Sequence, residues 1–510
     1  MIGKLNIASQ ASAPEREHFR TEHLRADLGA RTARGGAVMV GAQGLKFVIN
    51  IGSTAILARL LTPHDYGLIG MVVVVTGFIT LFKSMGLSAA TMQRAEINDA
   101  QVSTLFWINV AVGFLLFLVT AAAAPGAAWF FGEPSLTWIT AALGFAFVFG
   151  GLSVQHEALL KRQMRFAALA AADTVSMVGG ISVALALAWY GAGYWALVAN
   201  QLVLAFVYCV GVWAACRWRP GRPVRGAGVR AMLAFGRDIT GQGVFIYFAR
   251  NLDNLLIGRV WGAAQLALYA KAYQLLLLPM EQLSTPLNGV ALPALSRLHD
   301  SPERYRRAYL RLLEKVAMFT MPGVAFMIVT SDWLVRVVLG PQWDESARIF
   351  MLLGFVGLLE PVANTLGWLL LSQGRTRHML QWGVINGTIT SASIIAGLPW
   401  GAVGVAASYS LVGLCVRKPL VFWFVGRSGP VRVGDFYRTI APSALAALAV
   451  MLTLFGFRRL TPVSNHLLGL AVSSALALAV TLLIFLALPR GRRALQDIKE
   501  LFPLVVKRAA

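Results

Sequence analysis

The sequence predicts an all-α polytopic membrane protein of about 14 transmembrane helices, in two pseudo-symmetric six-helix lobes plus two C-terminal helices. Three observations predict it. The chain is 57% hydrophobic and only 13% charged, a balance that soluble proteins of 510 residues do not show. Its apolar residues gather into runs close to the roughly 20 residues a helix needs to cross the hydrocarbon core. Lys and Arg are also sorted by side. With the start of the chain placed in the cytoplasm, 35 of the 45 fall in inward segments, Arg417 and Lys418 counted among them. This is the positive-inside signature of a protein with both ends cytoplasmic.

The expected spans of the first lobe are 37–58, 66–90, 102–124, 136–153, 168–189 and 194–216. Those of the second are 240–258, 266–295, 312–331, 347–371, 378–397 and 402–424, followed by 438–455 and 464–487. The corresponding domains are a cytoplasmic tail (1–36), an N-terminal lobe (37–216), an inter-lobe linker rich in Arg, Pro and Gly (217–239), a C-terminal lobe (240–424), the added pair (438–487) and a cytoplasmic tail (488–510). The first tail mixes Arg16, Arg20, Arg25, Arg31 and Arg34 with acids and lacks an early apolar core, so no cleaved leader is expected. Pro279 and Pro286 predict a kink in the eighth span, and Pro361 another in the tenth.

Spanning strands are excluded because the apolar runs do not alternate with polar residues. Trp129, Trp138, Trp189, Trp195, Trp333, Trp343 and Trp400 fall near outward ends, as an interfacial belt would. Cys209, Cys216 and Cys415 have no CxxC spacing and read as core residues, and no metal-ligand spacing is present. The net charge of +22 lies beside the spans, which suits anionic membrane lipid and not nucleic acid.

A faint internal repeat supports the two lobes. ARLLTPHDYGLIG (58–70) is echoed 200 residues later by GRVWGAAQLALYA (258–270). FFGEPSLTW (130–138) is echoed by VLGPQWDES (338–346), and YGAGYWALV (190–198) by PWGAVGVAA (399–407), with Gly193 opposite Gly401. An even number of spans per copy keeps both copies in one orientation, related about an axis along the membrane normal, with a cleft between them.

AILARLLTPHDYGLIG (55–70) resembles the opening signature of bacterial polysaccharide flippases of the Wzx type, within the multidrug/oligosaccharidyl-lipid/polysaccharide exporter superfamily. RNLDNLLIGRVWGAAQLALYAKAYQLLLLP (250–279) is similar to that family's seventh and eighth helices, in the branch of lipopolysaccharide and exopolysaccharide biosynthesis transporters. The resemblance covers about residues 37–425. It implies a transporter, not an enzyme, that moves undecaprenyl-diphosphate-linked oligosaccharide from the cytoplasmic to the periplasmic leaflet of the bacterial inner membrane. The polysaccharide polymerase and export machinery are the implied partners. An exporter of small amphiphiles or drugs on the same fold is the alternative. A membrane glycosyltransferase or polymerase would need a sizeable outward loop, and these loops are short.

Such a cargo needs a polar, partly cationic path, because phosphates and hydroxyls cannot be buried in hydrocarbon without partners. Ionisable residues inside spans mark such paths. Arg250 and Asp253 lie three residues apart in span 7, beside Asn251 and Asn254, and so share a helix face. Arg250 suits bidentate phosphate contact, with Asp253 orienting or releasing it. Lys46 and Lys83 are the corresponding cations of the first lobe. Lys271, Asn254, Tyr273 and Gln274 complete the substrate-binding set. Asp173, Glu281 and Glu360, with Asp253, are candidates for coupling or gating, with H⁺ or Na⁺ as the coupling ion and no other cofactor.

Overall fold

The computed structural model describes residues 28–80, 97–224, 230–461, 463, 465–489 and 491–493. All regular structure among them is helical. Nine described helices are long and apolar enough to cross a membrane, and a bent pair makes a tenth span. The chain is an all-α polytopic membrane protein. Two compact units divide it, Met1–Asn251 and Leu252–Ala510.

Unit 1 contains α1 (Leu28–Leu60), α2 (Pro63–Thr80), α3 (Asp99–Phe131), α4 (Leu136–Arg162), α5 (Phe166–Trp189) and α6 (Tyr194–Cys216). It also contains the first part of α7 (Arg230–Ser296). A capping box of Asn98 and Gln101 starts α3, and Gly132 ends it in the left-handed conformation (φ 74°). The helices α3 and α4 meet backbone to backbone. A Cβ on Gly113 would stand 2.6 Å from the Phe147 carbonyl oxygen, and one on Gly151 2.5 Å from that of Asn109. Small residues permit this approach where packing must replace the hydrophobic effect between helices. Gly151→Ala is therefore expected to destabilise the protein by about 2 kcal/mol. The measurement is thermal unfolding in detergent, with Gly126→Ala, which would meet nothing within 4 Å, expected to leave the midpoint unchanged.

After α6 the chain does not leave as a loose linker. Trp218 donates its Nε1–H to Asp99 (2.8 Å), Trp107 donates to the Gly221 carbonyl (2.9 Å), and the Gly221 N–H donates to Ser103 (2.9 Å). Residues 217–224 are thus tied to the start of α3. The helix α7 begins at Arg230, so the last ten residues expected in the linker are helical.

Unit 2 holds the rest of α7, then α8 (Pro302–Val329), α9 (Ser331–Val338), α10 (Asp344–Gly357), α11 (Glu360–Ser372) and α12 (Thr376–Gly397). It continues with α13 (Gly401–Val412), α14 (Lys418–Gly426), α15 (Val433–Leu460) and α16 (His466–Ala487). Its core joins Tyr305, Tyr309 and Leu313 of α8 to Phe422 of α14 and Phe436 of α15. Arg306 fixes the same pair of helix starts by gripping Asp435 (Nε to Oδ2, 2.8 Å). At the other end Arg458 of α15 makes a two-point pair with Asp332 (2.8 Å from Nη1) and lies 4.3 Å over the Trp333 ring.

One break lies outside the expected prolines. The backbone within α7 is non-helical at Gly262 (φ 80°), a conformation glycine adopts at no steric cost. The expected tenth span does bend, by 41° between α10 and α11, with Pro361 at the start of α11. The repeat is visible in one turn. Gly193 and Gly401 share their backbone (φ 55° and 73°, ψ −135° and −164°), whereas Gly132 and Gly340 share only a positive φ. Gly262 stands 200 residues after Thr62, where α1 gives way to α2. Of the tryptophans expected in a belt, Trp129, Trp138, Trp189, Trp195 and Trp400 are exposed, while Trp333 and Trp343 are buried core residues.

Candidate functional site

A charge set among apolar helices is costly unless it is paired or faces a polar path. Unit 1 pairs two of the expected site residues. The Lys46 ammonium of α1 donates to the Asp173 carboxylate of α5. Lys46 is therefore not an isolated cation, and the acid expected to couple is its counter-ion. Their separation of 127 residues hid the pairing from sequence reasoning. Lys83 lies outside the described residues.

Along α7, Tyr247 belongs to unit 1, where its hydroxyl donates to the Val74 carbonyl (2.7 Å). Arg250 follows. Its side chain is exposed, and it pairs with no carboxylate among the described residues. Arg250 and Asp253, expected to share a helix face, form no ion pair with each other. Asp253 instead accepts hydrogen bonds from the Tyr269 hydroxyl (3.0 Å) and the Asn254 backbone N–H (2.8 Å). Sixteen residues of straight helix would hold Asp253 and Tyr269 about 24 Å apart. The break at Gly262 folds α7 back on itself, and this brings them together.

From Asp253 a polar thread runs through unit 2. Tyr269 is buried and stacks on Tyr273 with ring planes 6° apart. Tyr273 in turn lies within electrostatic reach of Tyr409 and Glu360. The Tyr409 ring carries the Arg417 guanidinium 4.6 Å above its centre. Arg417 donates to Thr390 (3.0 Å) and lies 3.7 Å from Glu360, while Lys418 donates to the same Glu360 carboxylate at 2.6 Å. Both cations are almost fully enclosed, with side chains 7% and 5% exposed. Glu360 is thus the carboxylate that Arg417 and Lys418 share.

A π-helical turn, Gly413–Arg417, presents the two cations. Such turns are rare and recur at functional sites. Gly413 makes room for it, since a Cβ there would strike Val356 at 2.5 Å and approach Arg417 Nη2 at 3.5 Å. Sequence reasoning missed both residues by assigning them to an inward segment. The available signal was RKP at 417–419, inside the apolar run 402–424.

The remaining expected residues are more scattered. Lys271 is half-buried and donates to Gln274 (3.2 Å). Asn254 touches the thread only through its backbone, and Glu281 is exposed on α7. The geometry offers fixed charges, stacked phenols and hydrogen-bond donors.

Residues 56–348 match the family model described as polysaccharide biosynthesis protein. The chain is 26% identical over 376 residues to the lipopolysaccharide biosynthesis protein WzxC of Escherichia coli (strain K12), covering 72% of this chain and 75% of that one. It is 26% identical over 414 residues to the teichuronic acid biosynthesis protein TuaB of Bacillus subtilis (strain 168), covering 80% and 85%. Among solved structures its fold is similar to that of the lipid II flippase MurJ in an inward closed conformation. The TM-score is 0.67 at 13% identity, over 87% of this chain and 96% of that one.

Proposed function

This chain belongs to the polysaccharide biosynthesis protein family, and from that premise we propose that it flips undecaprenyl-diphosphate-linked oligosaccharide from the cytoplasmic to the periplasmic leaflet. The observation that carries the reading is Arg250, an exposed guanidinium within an apolar helix and without a described carboxylate partner. The barrier to such a cargo is its polar head, and a guanidinium offers the diphosphate two parallel charge-assisted hydrogen bonds. Tyr273, Gln274 and Lys271 contribute sugar-facing hydrogen bonds in this reading. Asp253, Glu360, Asp173 and Glu281 are the acids through which H⁺ or Na⁺ would couple. The protein then resides in the bacterial inner membrane with both termini cytoplasmic, as the charge sorting expects. It would hand its cargo to a polysaccharide polymerase and export machinery.

Reconstitution tests this. Proteoliposomes carrying an undecaprenyl-diphosphate oligosaccharide are expected to move the glycan across the bilayer under an imposed H⁺ or Na⁺ gradient, read as its exposure to an added glycosidase. A rate equal to that of protein-free vesicles under both gradients overturns the reading.

A further inference from the structure

Several helix ends of unit 2 meet around an open cavity of about 410 Å³, lined by His299, Tyr305, Gln373, Arg375, Gly429 and Pro430, with Pro302 at its edge. Its walls come from the α7–α8 connection, the α11–α12 turn and the α14–α15 connection. No carboxylate lines it. Among the described residues Arg375 donates to neutral groups, Ser428 (2.7 Å) and Gln373 (3.5 Å). The Gln373 Nε2 is enclosed and makes no well-formed hydrogen bond. A second guanidinium, Arg427, is close enough to act on Arg375 electrostatically. The nearby Asp435 is already engaged by Arg306.

The repeat sets Arg375 apart from its counterpart in unit 1. Arg165 and Arg375 begin α5 and α12 with nearly the same backbone (φ −82°, ψ 54° and φ −83°, ψ 48°). Arg217 and Arg427 follow the ends of α6 and α14, again 210 residues apart, but with different backbone (φ 57° and −71°). The residue after Arg217 is the buried Trp218, whereas Ser428 and Gly429 follow Arg427. In unit 1 Arg165 is also consumed by a backbone carbonyl, that of Ala215 (2.9 Å).

We propose that this cavity binds a phosphate group, that of an anionic phospholipid headgroup or of free phosphate, with Arg375 as its principal ligand. A guanidinium fork matches phosphate oxygens, and basic pockets between spanning helices on the cytoplasmic side take lipid headgroups. The site is separate from the transport path proposed above and does not depend on it.

The test uses the full-length protein in detergent with phosphatidylglycerol, phosphatidylcholine and inorganic phosphate as probes. Native mass spectrometry is expected to show phosphatidylglycerol retained over phosphatidylcholine. Arg375→Ala should weaken its tightest binding event about tenfold. Gly429→Asp keeps Arg375 and places a carboxylate against it, since a Cβ there lies 2.9 Å from Nη1. It should abolish the same event, and it carries the test if Arg375→Ala fails to fold. Competition by inorganic phosphate identifies free phosphate as a ligand, and its absence identifies the lipid. Equal retention of both lipids with no phosphate binding overturns the proposal, as does a Gly429→Asp protein that binds like the original.

Discussion

Glu360→Ala is expected to lower the stability of the detergent-solubilised protein by about 3 kcal/mol, because it leaves two enclosed cations without their carboxylate. Lys418 and Arg417 are 5% and 7% exposed at the side chain, and both take their negative partner from Glu360. The measurement is the thermal midpoint with a ligand-free sample. Replacing both partners separates pairing from packing. Glu360→Gln with Lys418→Met is expected to recover only the share of the loss that belongs to Lys418, since a neutral pair removes its desolvation penalty while Arg417 stays without a carboxylate. A midpoint unmoved by Glu360→Ala would show that water, not the carboxylate, compensates these cations.

Arg250→Ala has the opposite profile. Its side chain is exposed and pairs with no described carboxylate, so membrane abundance and thermal midpoint are expected to stay unchanged. Transport in the reconstituted assay should fall by about tenfold or more, the loss expected for a charge-assisted contact to phosphate. Arg250→Lys keeps the charge but loses the planar fork and should fall between the two. Undiminished transport by correctly inserted Arg250→Ala removes this residue from the cargo path.

The spans were legible because each depends on local hydropathy, and the described helices cover every expected one in whole or part. The turns at Gly193 and Gly401 were legible because both need a positive φ, whereas the boundary between the two units, after Asn251, falls inside the expected seventh span and not in the expected linker. Partners were not legible. The Lys46–Asp173 and Glu360–Lys418 pairs join residues 127 and 58 positions apart, and spacing rules reach only one helical turn. The phenol on Asp253 was hidden in the same way, since the reversal at Gly262 brings Tyr269 to it from sixteen positions away. Arg417 and Lys418 were misplaced because a basic dipeptide ordinarily marks the end of a span, whereas here a π-helical turn carries it into the bundle.

That Lys46 finds Asp173 inside its own unit has a consequence for biogenesis. Glu360 with Lys418, Arg306 with Asp435 and Arg458 with Asp332 are likewise satisfied without crossing the unit boundary. The Lys46–Asp173 pair can therefore close while the ribosome is still translating the second half. Nascent chains halted just after Asn251 are expected to leave the insertion machinery already protease-resistant, so that synthesis proceeds as two successive foldings.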